Sequence, residues 1–341
     1  MSDVDPTELR GAFAPATELA AESPRQIADP AGAAARPRIA ISEALRNNWI
    51  EIWYQPKIDL KRKCLAGAEA LARIRHPQFG VLPPGGFDPE VDDEGIAELT
   101  QQALLATLCD WTMFEEAGFN LQLAINVPVR ALFTLPIARL VADYRPRSER
   151  WPGLMVEVTE DQLVREAALA QAVAAQFRAS GILIAIDEFG AGFSSFARLR
   201  DLPFAELKID RRFVQHCATD AADAAICQTA VDLAHRFGAA AVAEGVENAA
   251  DLQALMVMGC DFGQGVAIAP PMPKERFVEL LRQRLGRPRT AVAKPTGSGS
   301  PTPAGRVAQL VFYLPPGSRK GTDLPGGNGM RKTLSVIDTI T

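Results

Sequence analysis

Little in this chain is suited to cross-linking. Its five cysteines (Cys64, Cys109, Cys217, Cys227, Cys260) are scattered over 341 residues, with no C-x-x-C pair. That spacing argues against a zinc ribbon or a disulfide framework and fits a reducing compartment. Histidine is scarcer: His76, His216 and His235 are spread out and never in H-E-x-x-H spacing, which argues against a histidine-rich metal site. No run approaches ~18 consecutive apolar residues, the length of a membrane span. The first residues, MSDVDPTELRGAFAP, carry acid where a secretory signal has a basic segment, and no compact apolar stretch follows. The expected location is therefore the cytoplasm. No G-x-G-x-x-G follows the first strand candidate, which weakens a dinucleotide-binding reading.

Basic charge is also short over most of the chain. Lys and Arg total 36 against 41 Asp and Glu, a formal net charge of −5. Residues 287–341 hold 8 Lys/Arg and 2 Asp/Glu, which leaves 28 against 39 for residues 1–286. A tail of +6 thus masks a body of −11. An acidic body argues against nucleic-acid binding through a broad basic face, and it suits a site built from carboxylates.

What is present falls into three parts. Residues 1–38 are rich in Ala, Pro and Glu, with Pro at 6, 15, 24, 30 and 37, and read as a disordered low-complexity extension. Residues 287–341 read as a disordered, basic, Pro/Gly-rich tail that opens on the linker RPRTAVAKPTGSGSPTP. Its one apolar run, VAQLVFYL at 307–314, is a candidate added strand or partner-binding segment. Between them, residues 39–286 alternate β-rich runs with helical stretches. The strand candidates are Ile50–Tyr54, Leu65–Ala70, Leu121–Val127, Leu154–Val158, Ile182–Ile186, Glu206–Ile209, Ala240–Ala243 and Gly265–Ile268. The helix candidates are Ile96–Glu116, Asp161–Ser180, Asp220–Phe237, Ala249–Met258 and Lys274–Leu285. Eight strands alternating with helices over about 240 residues fit a closed (β/α)8 barrel, although an open parallel sheet alternates in the same way.

Strand after strand ends in a residue able to hold a metal. Glu69 stands in GAEAL, Asn126 ends LQLAIN, and Glu157 and Glu160 lie in LMVEVTE. Asp187 and Glu188 end ILIAIDE, Lys208 and Asp210 lie in ELKID, Glu244 and Glu247 in AEGVE, and Gln264 in DFGQG. A single carboxylate at a strand end is usually a helix cap or a turn residue. Several converging in one barrel mouth would repel one another unless a cation lay among them. Oxygen-only ligands select hard ions such as Mg²⁺, Mn²⁺ or Ca²⁺. Two such ions can clamp the attacking and leaving oxygens of a phosphoryl displacement. Lys208 either neutralises the carboxylates or orients a water and stabilises developing charge. Arg73 suits a phosphate oxygen or, more simply, a surface ion pair.

Taken in order, these segments resemble the EAL domain, a bacterial phosphodiesterase that cleaves cyclic di-GMP to the linear dinucleotide. The series is YQP at 54–56, GAEALAR at 67–73, RHP at 75–77, Asn126, EVTE at 157–160, DEFGAGFSS at 187–195, LKIDRRFV at 207–214, AEGVE at 243–247 and GCDFGQG at 259–265. The resemblance covers roughly Ile41 to Leu281. It implies a TIM-like barrel whose first strand is antiparallel to the rest. It implies that Glu69, Asn126, Glu157 and Asp187 hold one Mg²⁺ or Mn²⁺, and that Asp187 bridges to a second shared with Glu188 and Glu244. Lys208 would contact the attacking water, with Gln264 nearby, and Gln55 and Arg73 would touch the dinucleotide. Asp210 and Glu247 would support the site, and Glu160 would anchor the loop Phe189–Ser195, which in the family leads to a homodimer interface. The implied mechanism is in-line attack of a metal-activated water on one phosphodiester, with departure of the 3′-oxygen.

The chain departs from the family pattern at defined places. Glu188 stands where the family usually has aspartate, and its extra methylene is expected to weaken the second ion and slow turnover. Ala191 and Phe193 replace common hydroxyl-bearing residues. GVAIAPPMP at 265–273 lacks the usual aromatic and basic residues, and PGGFDPEVDDEG at 84–95 is unusually acidic. Two functions therefore stand at this stage. One is an active cyclic di-GMP phosphodiesterase. The other is a degenerate EAL domain that binds cyclic di-GMP, or a protein partner, without hydrolysis. The flanks are open to a protein partner in either case.

Overall fold

Polar and apolar residues alternate from Ile50 onward, as a strand flanked by two different environments requires. This segment is β1 (Ile50–Asp59), and after a turn the chain returns antiparallel to it as β2 (Cys64–His76). The computed structural model describes residues 38–87, 93–160, 173–174, 176–191 and 203–285. A short helix, α1 (Ile41–Arg46), precedes the hairpin, and β3 (Gly80–Leu82) extends it. Strands and helices then alternate: α2 (Asp93–Glu116), β4 (Gln122–Asn126), α3 (Val129–Thr134), α4 (Ile137–Tyr144), β5 (Leu154–Thr159) and β6 (Ile182–Phe189). The series continues through β7 (Glu206–Ile209), α5 (Arg211–Val214), α6 (Ala221–Arg236), β8 (Ala240–Ala243), α7 (Ala249–Met258), β9 (Phe262–Gly263), β10 (Met272–Pro273) and α8 (Lys274–Leu285).

Eight of the strands close a ring in the order β1-β9-β8-β7-β6-β5-β4-β2, with β2 pairing back to β1. Every neighbouring pair is parallel except those made by β1, which is antiparallel to both β2 and β9. The closed barrel and its reversed first strand are thus as expected. One expected strand moves. Gly265–Ile268 is a turn, and the closing strand is β9, three residues earlier. A Cβ on Gly265 would lie 2.2 Å from the Val246 carbonyl oxygen, so a strand of ordinary residues does not fit there. Most of the helix expected at Asp161–Ser180, and the extensions at 1–37 and 286–341, lie outside the described residues.

The core lies mainly between strands and helices. In α2, Leu104, Leu108 and Trp111 recur at helical spacing and are buried with Phe114. Tyr54 turns outward from β1 into this layer and donates to Asp110 at 2.8 Å; Lys274 of α8 donates to the same carboxylate at 2.7 Å. These bonds tie both helices to the reversed strand. The barrel lumen is filled differently. Ala124, Met155 and Ala185 pack there as a small apolar cluster. Below them the Lys57 Nζ lies 2.6 Å from both Glu206 carboxylate oxygens, with the Phe262 ring 5.4 Å away. Lys57 and Glu206 are both buried.

Candidate active site

Because β2, β4, β5, β6, β7 and β8 run parallel, their C-terminal ends open on one mouth. Side chains two residues apart share a face, so the lumen-facing rows end there in Glu69, Asn126, Glu157, Asp187 and Lys208. Lys208 is the centre, 1% exposed. Its Nζ is 2.5 Å from Glu157 Oε2, 2.5 Å from Glu244 Oε1, 3.4 Å from Glu69 Oε2 and 3.5 Å from Asp187 Oδ1. Asn126 donates to Glu69 Oε1 at 2.6 Å. Gln264 donates to Glu69 Oε2 at 2.6 Å and to Gln55 Oε1 at 3.2 Å, and Gln55 donates to the Ala269 carbonyl at 3.1 Å. Gln264 is set by the backbone around it, since Val246 N–H donates to its carbonyl at 3.0 Å and Gly265 packs against Val246.

One ammonium has three protons, and four carboxylates face it. The electrostatics record the shortage. Burial, with Glu69 adding, holds the Glu157 carboxyl well above the usual range in spite of Lys208. Burial likewise outweighs Lys208 at Glu244, where Asp187 and Glu69 add, and the carboxyl is pushed to about 8. Burial also acts on Glu69, but Lys208 and the donors of Asn126 and Gln264 overcome it and keep that carboxyl low. Burial lowers Lys208, yet Glu157, Glu244, Glu69 and Asp187 together hold its ammonium well above the ordinary value. Among the described residues, no three carboxylate, imidazole or thiolate groups enclose an ion-sized point; the carboxylates converge on the ammonium. The donor chemistry fits a hard divalent cation. It is oxygen-only, buried and short of positive charge.

Other expected residues lie further out. Glu188 is exposed and outside the cluster, at a break in the β6–β7 register, with a left-handed φ of +55°. Its N–H donates to Asp187 Oδ1 at 2.8 Å, which fixes Asp187 while the Glu188 side chain leaves the carboxylate group. Although the residue is exposed, partial shielding of its carboxyl from water, with the charges of Asp187 and Asp210, raises it above its ordinary value. Asp210 is the N-cap of α5, accepting from Arg212 N–H at 2.8 Å, which is the simple strand-end role. Glu247 accepts from Gln215 at 2.6 Å, away from the cluster. Glu160 is buried and accepts from Gly190 N–H at 2.9 Å, at the start of the loop it was expected to anchor.

Arg73 departs from the surface ion pair considered for it. It is buried on the part of β2 that continues beyond β4, with its guanidinium 5.7 Å from the Trp53 ring centre and Nη1 donating to the Ala72 carbonyl at 2.8 Å. Burial lowers its pKa, against the pull of Glu69 and Glu51. Sequence reasoning passed over Trp53 and the Lys57–Glu206 pair. Period two was the available signal: Trp53 and Lys57 flank Gln55 on one face of β1, and Glu206 stands two residues before Lys208.

The family model of the EAL domain matches residues 38–271. The chain is 34% identical over 259 residues to the cyclic di-GMP phosphodiesterase RocR of Pseudomonas aeruginosa, covering 75% of this chain and 65% of that protein. It is 30% identical over 253 residues to the cyclic di-GMP phosphodiesterase PdeL of Escherichia coli, covering 72% and 69%. Some curated relatives are much longer: the match spans 31% of the signaling protein YkoW of Bacillus subtilis. The solved structure of the PaMucR phosphodiesterase in its c-di-GMP complex superposes with a TM-score of 0.64 at 33% identity, covering 70% of this chain and 97% of that one. Since that family model covers residues 38–271, well over half of its length, the chain belongs to the EAL domain family.

Proposed function

We propose that this chain hydrolyses cyclic di-GMP to linear pGpG. The observation that carries the reading is the convergence of Glu69, Glu157, Asp187 and Glu244 on Lys208 at the barrel mouth. Relatives named as cyclic di-GMP phosphodiesterases support the substrate. Two divalent cations, Mg²⁺ or Mn²⁺, would be held by Glu69, Asn126, Glu157, Asp187 and Glu244, and Glu188 would join them only with its side chain turned inward. When bound they supply the charge that activates water and neutralises the phosphoryl oxygens. Lys208 orients the attacking water and steadies the developing negative charge through Nζ. Gln264, braced between Glu69 and Gln55, keeps that wall of the site in place. Arg73 receives a phosphate oxygen, for which a buried guanidinium is suited. Water adds to phosphorus, the bond to the 3′-oxygen breaks, and that oxygen leaves with a proton as the free 3′-hydroxyl of pGpG.

The catalytic unit in this reading is residues 39–286, acting in the cytoplasm as a homodimer, with the flanks free for a protein partner. Among the described residues no helix is long and apolar enough to cross a membrane. Purified protein incubated with cyclic di-GMP and millimolar Mg²⁺ or Mn²⁺ is expected to give pGpG by chromatography. No product at high enzyme concentration sinks the proposal.

Glu188 favours a second reading, a receptor that binds cyclic di-GMP without cleaving it. Its side chain is longer than the family aspartate and leaves the cluster. Glu188→Asp tests the point, because aspartate is shorter and also more at ease at positive φ. The substitution is expected to lower the half-maximal metal concentration roughly tenfold. An unchanged metal requirement and rate would show that Glu188 is not the limiting feature.

A further inference from the structure

Beyond Ala70, β2 loses its β4 partner and continues beside β1, with β10 pairing β1 at Trp53 and Tyr54 and β3 pairing β2 from Ile74. Cross-strand pairs on its site-facing side follow in order: Gln55 with Glu69, Trp53 with Leu71, Glu51 with Arg73. Each step is two residues, or about 7 Å. The first pair belongs to the carboxylate cluster. The second and third lie outside the carboxylate cluster.

Arg73 is one. Its residue is only 8% exposed, and among the described residues no carboxylate lies within 4.0 Å of its guanidinium. Glu69 and Glu51 act on it only from a distance, and a buried cation with no carboxylate in contact is suited to a ligand that supplies one. Trp53 is the other. Its indole N–H donates to Glu51 Oε1 at 2.6 Å. Glu51 is itself held by Arg75 through Nε at 2.7 Å and Nη2 at 2.9 Å. An indole tethered by its edge keeps a fixed plane. One face lies toward Arg73, and Trp53 remains only partly buried. A tethered, partly exposed aromatic plane beside a guanidinium with no carboxylate in contact suits a nucleobase joined to a phosphate.

We propose that Trp53 is a specificity-determining residue, the stacking platform for one guanine of the dinucleotide, and that Glu51 and Arg75 are positioning residues that hold its ring. Arg73, leaning over the same ring, takes the phosphate that is not being cleaved. This inference rests on the cyclic di-GMP reading. It adds to that reading how the base is gripped in a chain whose 265–273 segment lacks the usual aromatic and basic residues.

Steady-state kinetics on the full chain with cyclic di-GMP and Mg²⁺ test it, together with tryptophan fluorescence on mixing. Trp53→Leu is expected to raise KM about tenfold or more while kcat stays within about twofold. It should also abolish a quench that the wild-type protein shows on binding. Trp53→Phe keeps an aromatic face and should recover most of the affinity. Glu51→Gln, which loses the charged tie to Arg75, should raise KM by a smaller factor. Equal KM for wild type and Trp53→Leu, with hydrolysis intact, overturns the platform and leaves the enzymatic reading standing. A loss in Trp53→Leu that Trp53→Phe shares in full also overturns it, because stacking tolerates that exchange. Wild-type protein that neither quenches with nor cleaves cyclic di-GMP overturns both readings.

Discussion

Lys208→Ala is expected to lower the turnover of cyclic di-GMP by about a thousandfold or more, the scale for losing a preorganised charge at the reacting centre. Two effects add. The variant loses the group proposed to orient water and meet developing charge. It also leaves Glu69, Glu157, Asp187 and Glu244 facing one another with no ammonium among them. A buried charge stripped of its partner destabilises by about 3–5 kcal/mol, so folding must be measured beside activity. Lys208→Met combined with Glu157→Gln separates the effects. It removes the ammonium together with one of the carboxyl groups crowded around it, and the melting temperature should recover toward wild type while turnover does not. Chromatography for pGpG and a thermal melt on the same samples decide the matter. Turnover surviving in a folded Lys208 variant would refute the site assignment.

The same cluster shows how far the sequence could be read. Glu69, Glu157, Asp187, Lys208 and Glu244 were legible because they end lumen-facing rows of strands, where the barrel brings them together whatever the loops do. Asp210 and Glu247 look alike in sequence, yet Asp210 caps α5 and Glu247 pairs with Gln215. Strand-end position alone does not separate a member of the cluster from a cap: Asp210 follows Lys208 by two residues, but β7 has ended at Ile209 and its carboxylate turns to the first N–H groups of α5. In sequence Glu188 is a ligand limited by one methylene. Its left-handed backbone turns the question from length to direction, and no periodicity carries a single φ angle. The apolar run Gly265–Ile268 has a β-like pattern, whereas the closing strand β9 is only two residues long and too short to leave one. Trp53 was hidden for a different reason. An aromatic in a strand is ordinary core material, and only the tie to Glu51 marks it as something else.

At the other end of the lumen, removing either member of the Lys57–Glu206 pair is expected to destabilise the fold by about 3–5 kcal/mol. Both side chains are 5% exposed and the ammonium meets both carboxylate oxygens at 2.6 Å, so neither charge has water to fall back on. Glu206→Gln leaves the Lys57 ammonium in a lumen lined by Phe262, and Lys57→Met leaves a bare carboxylate. Replacing both at once, with Lys57→Met and Glu206→Leu, removes the desolvation problem and should return most of the lost stability. Urea unfolding midpoints for the two single variants and the double variant give the coupling directly. The distinction matters for function, because Glu206 shares its lumen face with Lys208 two residues on. If the pair serves only the fold, the double variant cleaves cyclic di-GMP at close to the wild-type rate. Recovered stability with lost turnover would mean that the floor charges set the field in which Lys208 works. Single variants as stable as wild type would mean that water reaches the pair and that the lumen is not sealed below the site.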